Sequence, residues 1–272
     1  MDDKTGECCI CGANGKLSFE HIPPQAAFND RRVFEANINS LLNGKWSPGE
    51  RIEEGKYKQR GAGRYSLCGK CNSDTGGWYG SSYVDVARNA MYRLHYSQGN
   101  MAGLAYPYGM FPLRFLKQIS AMFFSACGPA LQEKNPDLVR FVLNREERRL
   151  PPQIRFYAYL HHPTDSTCIR QSGITGMMRG PQQFLFSEIA FPPFGLIMSI
   201  DSPPVHADLC DITDLNRFNY RQWDVVYLKL PVFPVTTWFP GDFRTVEGVL
   251  KDQAENRKVG SMFLDPQVPI IR

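Results

Sequence analysis

Apolar and polar positions divide this chain into three stretches of different period. In LSFEHIPP, Leu17, Phe19 and Ile22 alternate against Ser18 and His21, which predicts an extended segment stopped by Pro23-Pro24. KYKQRGAGRYSL reads as two short strands and a glycine turn. GGWYGSSYVDVARNAMYRLHYSQG begins with glycines and then turns helical, with Tyr83, Ala87, Met91 and Leu94 at spacings of four, four and three. The stretch from Gly99 to Pro112 holds three glycines and two prolines with few charges, and a domain junction is placed there. PLRFLKQISAMFFSACG then reads as a buried helix through Leu113, Leu116, Ile119, Phe123 and Phe124, and PDLVRFVLNREERR as a shorter amphipathic one. Beyond Pro151-Pro152 the period shortens. IRFYAYLHH, STCIRQ, QQFLFSEIAF, FGLIMSID and WDVVYLKLPVF are β-branched or aromatic runs between turn residues, so they predict a mainly antiparallel sheet of about five strands. A last helix is expected from Arg244 to Arg257, with Val246, Val249, Leu250 and Ala254 on one face. The expected class is α+β, with one domain over 1–98 and a second over 110–272.

Composition narrows the setting. The chain has 272 residues, 43% of them hydrophobic, and four Trp, enough for a sizeable core. The N-terminus MDDKTGECC is acidic and polar and no run of eighteen apolar residues occurs, so neither a signal peptide nor a membrane span is expected. The expected compartment is the cytoplasm, where paired cysteines mean metal more than disulfides. The net charge of +4 is too small to argue a nucleic-acid partner by itself. Its distribution argues more, with seven basic residues against three acidic from Lys45 to Lys70. Lys56, Lys58, Arg60 and Arg64, interleaved with Tyr57 and Tyr65, read as a basic hairpin able to track phosphates without base specificity, or simply as a solvated charged hairpin.

The cysteines carry the chemistry. Cys8 and Cys11, then Cys68 and Cys71, form two C-x-x-C pairs whose spacers aim both sulfurs of each pair at one point, as a tetrahedral zinc requires. Four thiolates close the coordination shell, so this zinc is structural and any chemistry lies beside it. Cys9 reads as a bystander, and Cys127, Cys168 and Cys210 as core residues. Glu20-His21 stands between the knuckles and Asn72 directly follows the second. Glu20 and Asn72 offer hard oxygen ligands suited to Mg²⁺ or Mn²⁺, and His21 offers a base near neutral pH. At the end of a strand frayed before the prolines, Glu20 and His21 would reach one centre.

ECCICG, LSFEHIPP and LCGKCN, in that order, resemble the HNH endonucleases of the ββα-metal fold in their zinc-containing branch. The resemblance covers about residues 5–95. It implies that Cys8, Cys11, Cys68 and Cys71 hold the structural zinc, that Glu20 and Asn72 hold the catalytic cation, and that His21 is the general base of phosphodiester hydrolysis, most simply of DNA. The family's middle Asn falls at Gly63 here, which leaves Asn37, Asn39, Asn43 or a backbone carbonyl to brace His21; a third His is also missing, and Asp74 is the nearest candidate for that place. By analogy with small HNH nucleases that carry a second domain, the resemblance implies a bacterial antiviral effector whose C-terminal region targets, oligomerises, or senses a small-molecule or protein activator. A homodimer would let two single-metal sites cut both strands. Two other readings remain open: a non-catalytic zinc ribbon that binds nucleic acid, and a ligand-gated sensor whose nuclease part is latent.

Overall fold

The computed structural model describes residues 4–35, 55–101, 104–161 and 168–263, with side chains described as far as residue 255. Asn37, Asn39 and Asn43 lie outside the described residues. Near the N-terminus, β1 (Thr5–Glu7), β2 (Asn14–His21) and β5 (Gly63–Cys68) form an antiparallel sheet in the order β1-β2-β5. Between β2 and β5 a separate antiparallel pair joins β3 (Val33–Glu35) to β4 (Lys56–Lys58). Both strands read from KYKQRGAGRYSL exist, yet they do not form a hairpin with each other, because each finds an older partner upstream: β4 pairs with β3 and β5 with β2.

Straight from β5 the chain enters α1 (Gly69–Thr75), passes through a π-helical turn (Gly76–Gly80) and continues as α2 (Ser81–Tyr96). Cys71, Thr75, Tyr79, Tyr83 and Ala87 are buried along this rod. β6 (Tyr106–Met110) follows, inside the stretch between Gly99 and Pro112, and pairs antiparallel with β13 (Asp224–Leu228).

α3 (Pro112–Cys127) is the hub. Pro112 starts it, where a missing N–H costs nothing, and Gly128 ends it at a φ of 81° that favours glycine. Every residue from Phe115 to Ala126 is buried. Among them is Lys117, whose Nζ donates to the carbonyls of Phe141 (2.5 Å) and Asn144 (2.6 Å). It thereby satisfies orphan carbonyls at the end of α5 (Pro136–Leu143), which follows the short α4 (Pro129–Lys134).

The C-terminal sheet is mainly antiparallel, as its β-branched and aromatic runs between turn residues predict. Its order is β12-β7-β11-β10-β8, where β7 is Ile154–His161, β8 Arg170–Gln171, β10 Gln182–Phe191, β11 Phe194–Ile200 and β12 Cys210–Asp211; β9 (Thr175–Arg179) adds to β10. WDVVYLKLPVF splits: its first half is β13, away from this sheet, and its second is β14 (Val232–Phe233), parallel to β7. One face of the sheet joins α3 and the region of the paired cysteines in a single core cluster that includes Cys8, Leu67, Phe123, Phe156 and Ile189. The other face buries Tyr159, Phe186, Ala190 and Ile197 under Phe233, Trp238 and Phe243. α6 (Val246–Phe263) closes the described chain; Val249 is buried in it, while Leu250 is exposed.

Candidate metal centre and adjoining site

The four knuckle cysteines converge. The Sγ atoms of Cys8, Cys11, Cys68 and Cys71 all lie within 4.8 Å of one another, and Cys11 and Cys68 are 3.8 Å apart. Sulfurs about 2.3 Å from a tetrahedral zinc sit about 3.8 Å from each other, so the cluster has the dimensions of a closed Cys₄ site. Local backbone explains the convergence. Cys8 and Ala13 exchange Cys8 N–H for the Ala13 carbonyl (3.0 Å), Gly12 N–H returns to Cys8 O (2.9 Å), and Gly12 takes a φ of 72° to close the turn. In the second knuckle Cys68 caps α1, its Sγ accepting from Cys71 N–H at 3.4 Å. Cys71 donates to Cys8, which pulls the Cys8 thiol down to about 4 and pushes that of Cys71 up. Cys9 stands outside the cluster, its thiol raised to about 11 by burial.

Beside this centre, β2 and β5 run antiparallel with one irregularity: Ser18 faces Leu67 and Phe19 faces Tyr65, so Ser66 is an extra residue on β5. The bulged Ser66 is used fully. Its carbonyl accepts from Cys9 N–H (2.9 Å), and its hydroxyl donates to Ser125 Oγ (2.9 Å) on α3. From α1, Asn72 Nδ2 donates to Ser18 Oγ (3.0 Å) and to the Phe19 carbonyl (3.1 Å) on β2. Asn72 thus locks α1 onto β2 one residue before Glu20. Among the described residues its Oδ1 takes no hydrogen bond.

β2 does not fray before the prolines: Glu20 stays opposite Arg64 and His21 opposite Gly63, so the frayed end expected to bring both side chains to one centre is absent and the two leave opposite faces of the strand. Glu20 is 8% exposed and its carboxyl is raised to about 7 by burial. His21 is half-buried, edge-on to Phe19 with ring centroids 4.9 Å apart. Its Nε2 lies 3.0 Å from the carbonyl of Arg60. A carbonyl only accepts, so Nε2 carries the hydrogen and Nδ1 keeps its lone pair free to take a proton.

The loop that offers this carbonyl to His21 is held two residues further on by Asn29, a residue sequence reasoning passed over. Asn29 is 1% exposed; its Nδ2 donates to the carbonyls of Pro23 and Ala62, and its Oδ1 accepts from Ala62 N–H, each at 2.7 Å. It joins the end of β2 to the loop of residues 60–63. Gly61 belongs to the same clamp: its φ is 86°, and a Cβ there would stand 2.1 Å from the Asn29 carbonyl oxygen. Gly63 holds no bracing side chain; it lets β5 approach, since a Cβ would meet the Glu20 carbonyl oxygen at 2.2 Å. Nothing in QAAFND distinguishes Asn29 from a surface turn residue; only the spacing of a polar residue soon after Pro23-Pro24 hints at it.

The basic residues have unequal freedom. Lys58 pairs with Glu35 (2.7 Å) and donates to the Gly63 carbonyl (2.8 Å), and Lys56 lies 3.8 Å from the same Glu35. Arg64 is half-buried and reaches the carbonyl of Ala126 (3.3 Å) at the end of α3. Arg60 is exposed. Asp74 pairs with Lys70 one turn away on α1 (2.5 Å).

Comparison with protein-family models, with curated proteins and with solved structures finds no match. What can be stated plainly is a mixed α+β chain with antiparallel sheets and a four-cysteine cluster whose dimensions fit zinc. Among the described residues no helix is long and apolar enough to cross a membrane.

Proposed function

We propose that this chain is an HNH-type endonuclease that hydrolyses phosphodiester bonds, with DNA the favoured substrate, in which zinc on Cys8, Cys11, Cys68 and Cys71 organises the fold. The observation that carries this reading is the placement of His21: at the end of β2, the strand that Asn72 pins to α1 beside the four-cysteine cluster, with Nε2–H anchored on the Arg60 carbonyl and Nδ1 available. The run of β2, β5 and α1, two antiparallel strands leading into a helix, supports the ββα-metal reading.

In this reading His21 Nδ1 takes a proton from the water whose oxygen bonds to phosphorus, and the bond from phosphorus to the leaving oxygen breaks. By the resemblance, the Glu20 carboxylate and Asn72 Oδ1 are the oxygens that would hold Mg²⁺ or Mn²⁺, which would supply charge neutralisation at the phosphate; this requires the end of β2 to turn Glu20 toward the side of His21. A buried carboxylate that no donor reaches among the described residues is the kind of group a cation stabilises. Arg60 is the basic side chain best placed for a phosphate, because Lys56 and Lys58 are engaged with Glu35. We assign catalysis to residues 1–98, and targeting, sensing of an activator or dimerisation to 110–272; an antiviral role would follow from an activator.

The test is cleavage of plasmid and single-stranded DNA with Mg²⁺ or Mn²⁺ by wild type and His21→Ala. Nicking or linearisation that disappears in the variant, with zinc content and folding unchanged, is expected. Cleavage retained by His21→Ala would exclude His21 as the base.

A further inference from the structure

We propose that Gln171, on the C-terminal sheet, is a positioning residue for His21, through which that sheet sets the geometry of the candidate catalytic centre. The inference rests on the nuclease reading for its catalytic consequence. The contact itself is independent of it: Gln171 Nε2 donates to the carbonyl of Ile22 at 2.6 Å, across 149 positions of sequence. Ile22 directly follows His21 and is fully buried. Its N–H already donates to the Ala62 carbonyl (3.0 Å), within the loop that Asn29 clamps and that offers the Arg60 carbonyl to His21. The residue after His21 is therefore held from two sides, by its own loop and by Gln171.

Gln171 can act as a fixed post only if β8 is itself fixed, and a two-residue strand is too short to be rigid by its ladder alone. The missing rigidity comes from its neighbours on either side. In register, Arg170 lies opposite Ala190 and Gln171 opposite Ile189. Side chains alternate across a sheet, so Arg170 goes to the face of Ala190 and Gln171 to the face of Ile189, which belongs to the same core cluster as Ile22. On its own face Arg170, 3% exposed, is anchored by Glu188 (3.2 Å) and by the carbonyls of Phe239 and Asp242. Glu188 is fully buried and is held in turn by Tyr159 (2.6 Å) and the Gly241 N–H (2.9 Å). Behind Gln171, Ser172 N–H donates to the Glu188 carbonyl and Ser172 Oγ accepts from Glu188 N–H, both at 2.9 Å. A buried ion pair on one face of the sheet thus immobilises an amide that reaches the catalytic strand on the other.

A purely structural role, satisfying one buried carbonyl, would leave His21 where it is when the donor is lost. Gln171→Met keeps the length of the side chain and removes the donor. The experiment measures three things in wild type and Gln171→Met: the thermal midpoint, kcat and KM on single-stranded DNA with Mn²⁺, and the ¹⁵N shifts of the His21 imidazole, assigned by their absence in His21→Ala. The expected result is a folded variant with KM unchanged, kcat lower by roughly tenfold to a hundredfold, since ångström misplacement of a reacting group has effects of that order, and displaced His21 nitrogen shifts. Unchanged shifts, or an unchanged kcat in an active wild type, would overturn the proposal. If wild type cuts nothing, the nuclease reading fails, while the shifts still decide whether Gln171 positions His21.

Discussion

Removing the Asn29 side chain tests the clamp on the loop of residues 60–63 most directly. Asn29→Ala deletes three hydrogen bonds of 2.7 Å in a site that is 1% exposed. Ala62 O keeps Ile22 N–H as a donor, so two groups lose the bond this side chain supplied: the Pro23 carbonyl and Ala62 N–H. Each buried orphan costs roughly 1–3 kcal/mol, and water entering the relaxed loop would recover part of it, so the expected loss is about 2–4 kcal/mol. Asn29→Asp should be worse than Ala at neutral pH: it retains the acceptor for Ala62 N–H but turns an oxygen toward two carbonyls that need a donor. Urea unfolding followed by circular dichroism reads both values. Cleavage read alongside should fall by at least tenfold in each variant, because the Arg60 carbonyl that holds His21 moves with the loop, while zinc content stays unchanged. An Ala variant within about 0.5 kcal/mol of wild type, or an Asp variant more stable than Ala, would refute this account of the loop.

Two further expectations concern metal and protons. One zinc per chain should be found by elemental analysis, and Cys68→Ser should lose it together with the N-terminal fold, because Cys68 both closes the cluster and caps α1; full structure with no zinc would count against the centre. Lys117, whose amine burial pushes down to about 7, should make stability rise with pH between about 7 and the 10.5 of an exposed lysine, because in that window the unfolded chain binds a proton the folded chain does not. The limiting slope for one proton is about 1.4 kcal/mol per pH unit, and denaturant midpoints measured from pH 7 to 10 should rise less in Lys117→Met than in wild type. A neutral amine still has two hydrogens for the carbonyls of Phe141 and Asn144, so the contacts survive the loss of charge.

What could be read from the sequence is what local spacing encodes. The two C-x-x-C pairs name their ligands because each knuckle is a short closed turn, and the structure brings all four sulfurs together. α3 is legible because Leu113, Leu116, Ile119, Phe123 and Phe124 keep a helical period, and all five are buried. β7, β10 and β11 are legible from their runs of β-branched and aromatic residues between turn residues. Pairing is another matter. That β4 would choose β3 rather than β5, and β13 choose β6 outside the large sheet, depends on contacts across tens to over a hundred residues that leave no mark on either strand alone. Polar residues with buried duties were equally silent. Asn29, Lys117, Gln171 and the Arg170–Glu188 pair have the composition of solvated positions, and only tertiary structure reveals the carbonyls and ions they serve.

The π-helical turn between α1 and α2 has a consequence for how the zinc end and the core end of that rod are aligned. Cys71, Thr75, Tyr79, Tyr83 and Ala87 are buried at every fourth position, whereas an α-helix turning about 100° per residue overshoots by about 40° at each such step. Left uncorrected, the cluster cysteine at one end and the aromatic side chains at the other would point to different sides of the molecule. The wider turn from Gly76 to Gly80 takes up part of that excess, as a vernier does, and the space around it is open: a Cβ at Gly76 or Gly77 would meet nothing within 4 Å. One continuous rod can then answer to two unrelated constraints, a coordination shell fixed to tenths of an ångström and a hydrocarbon core that tolerates none of that strictness, without either one dictating the rotation of the other.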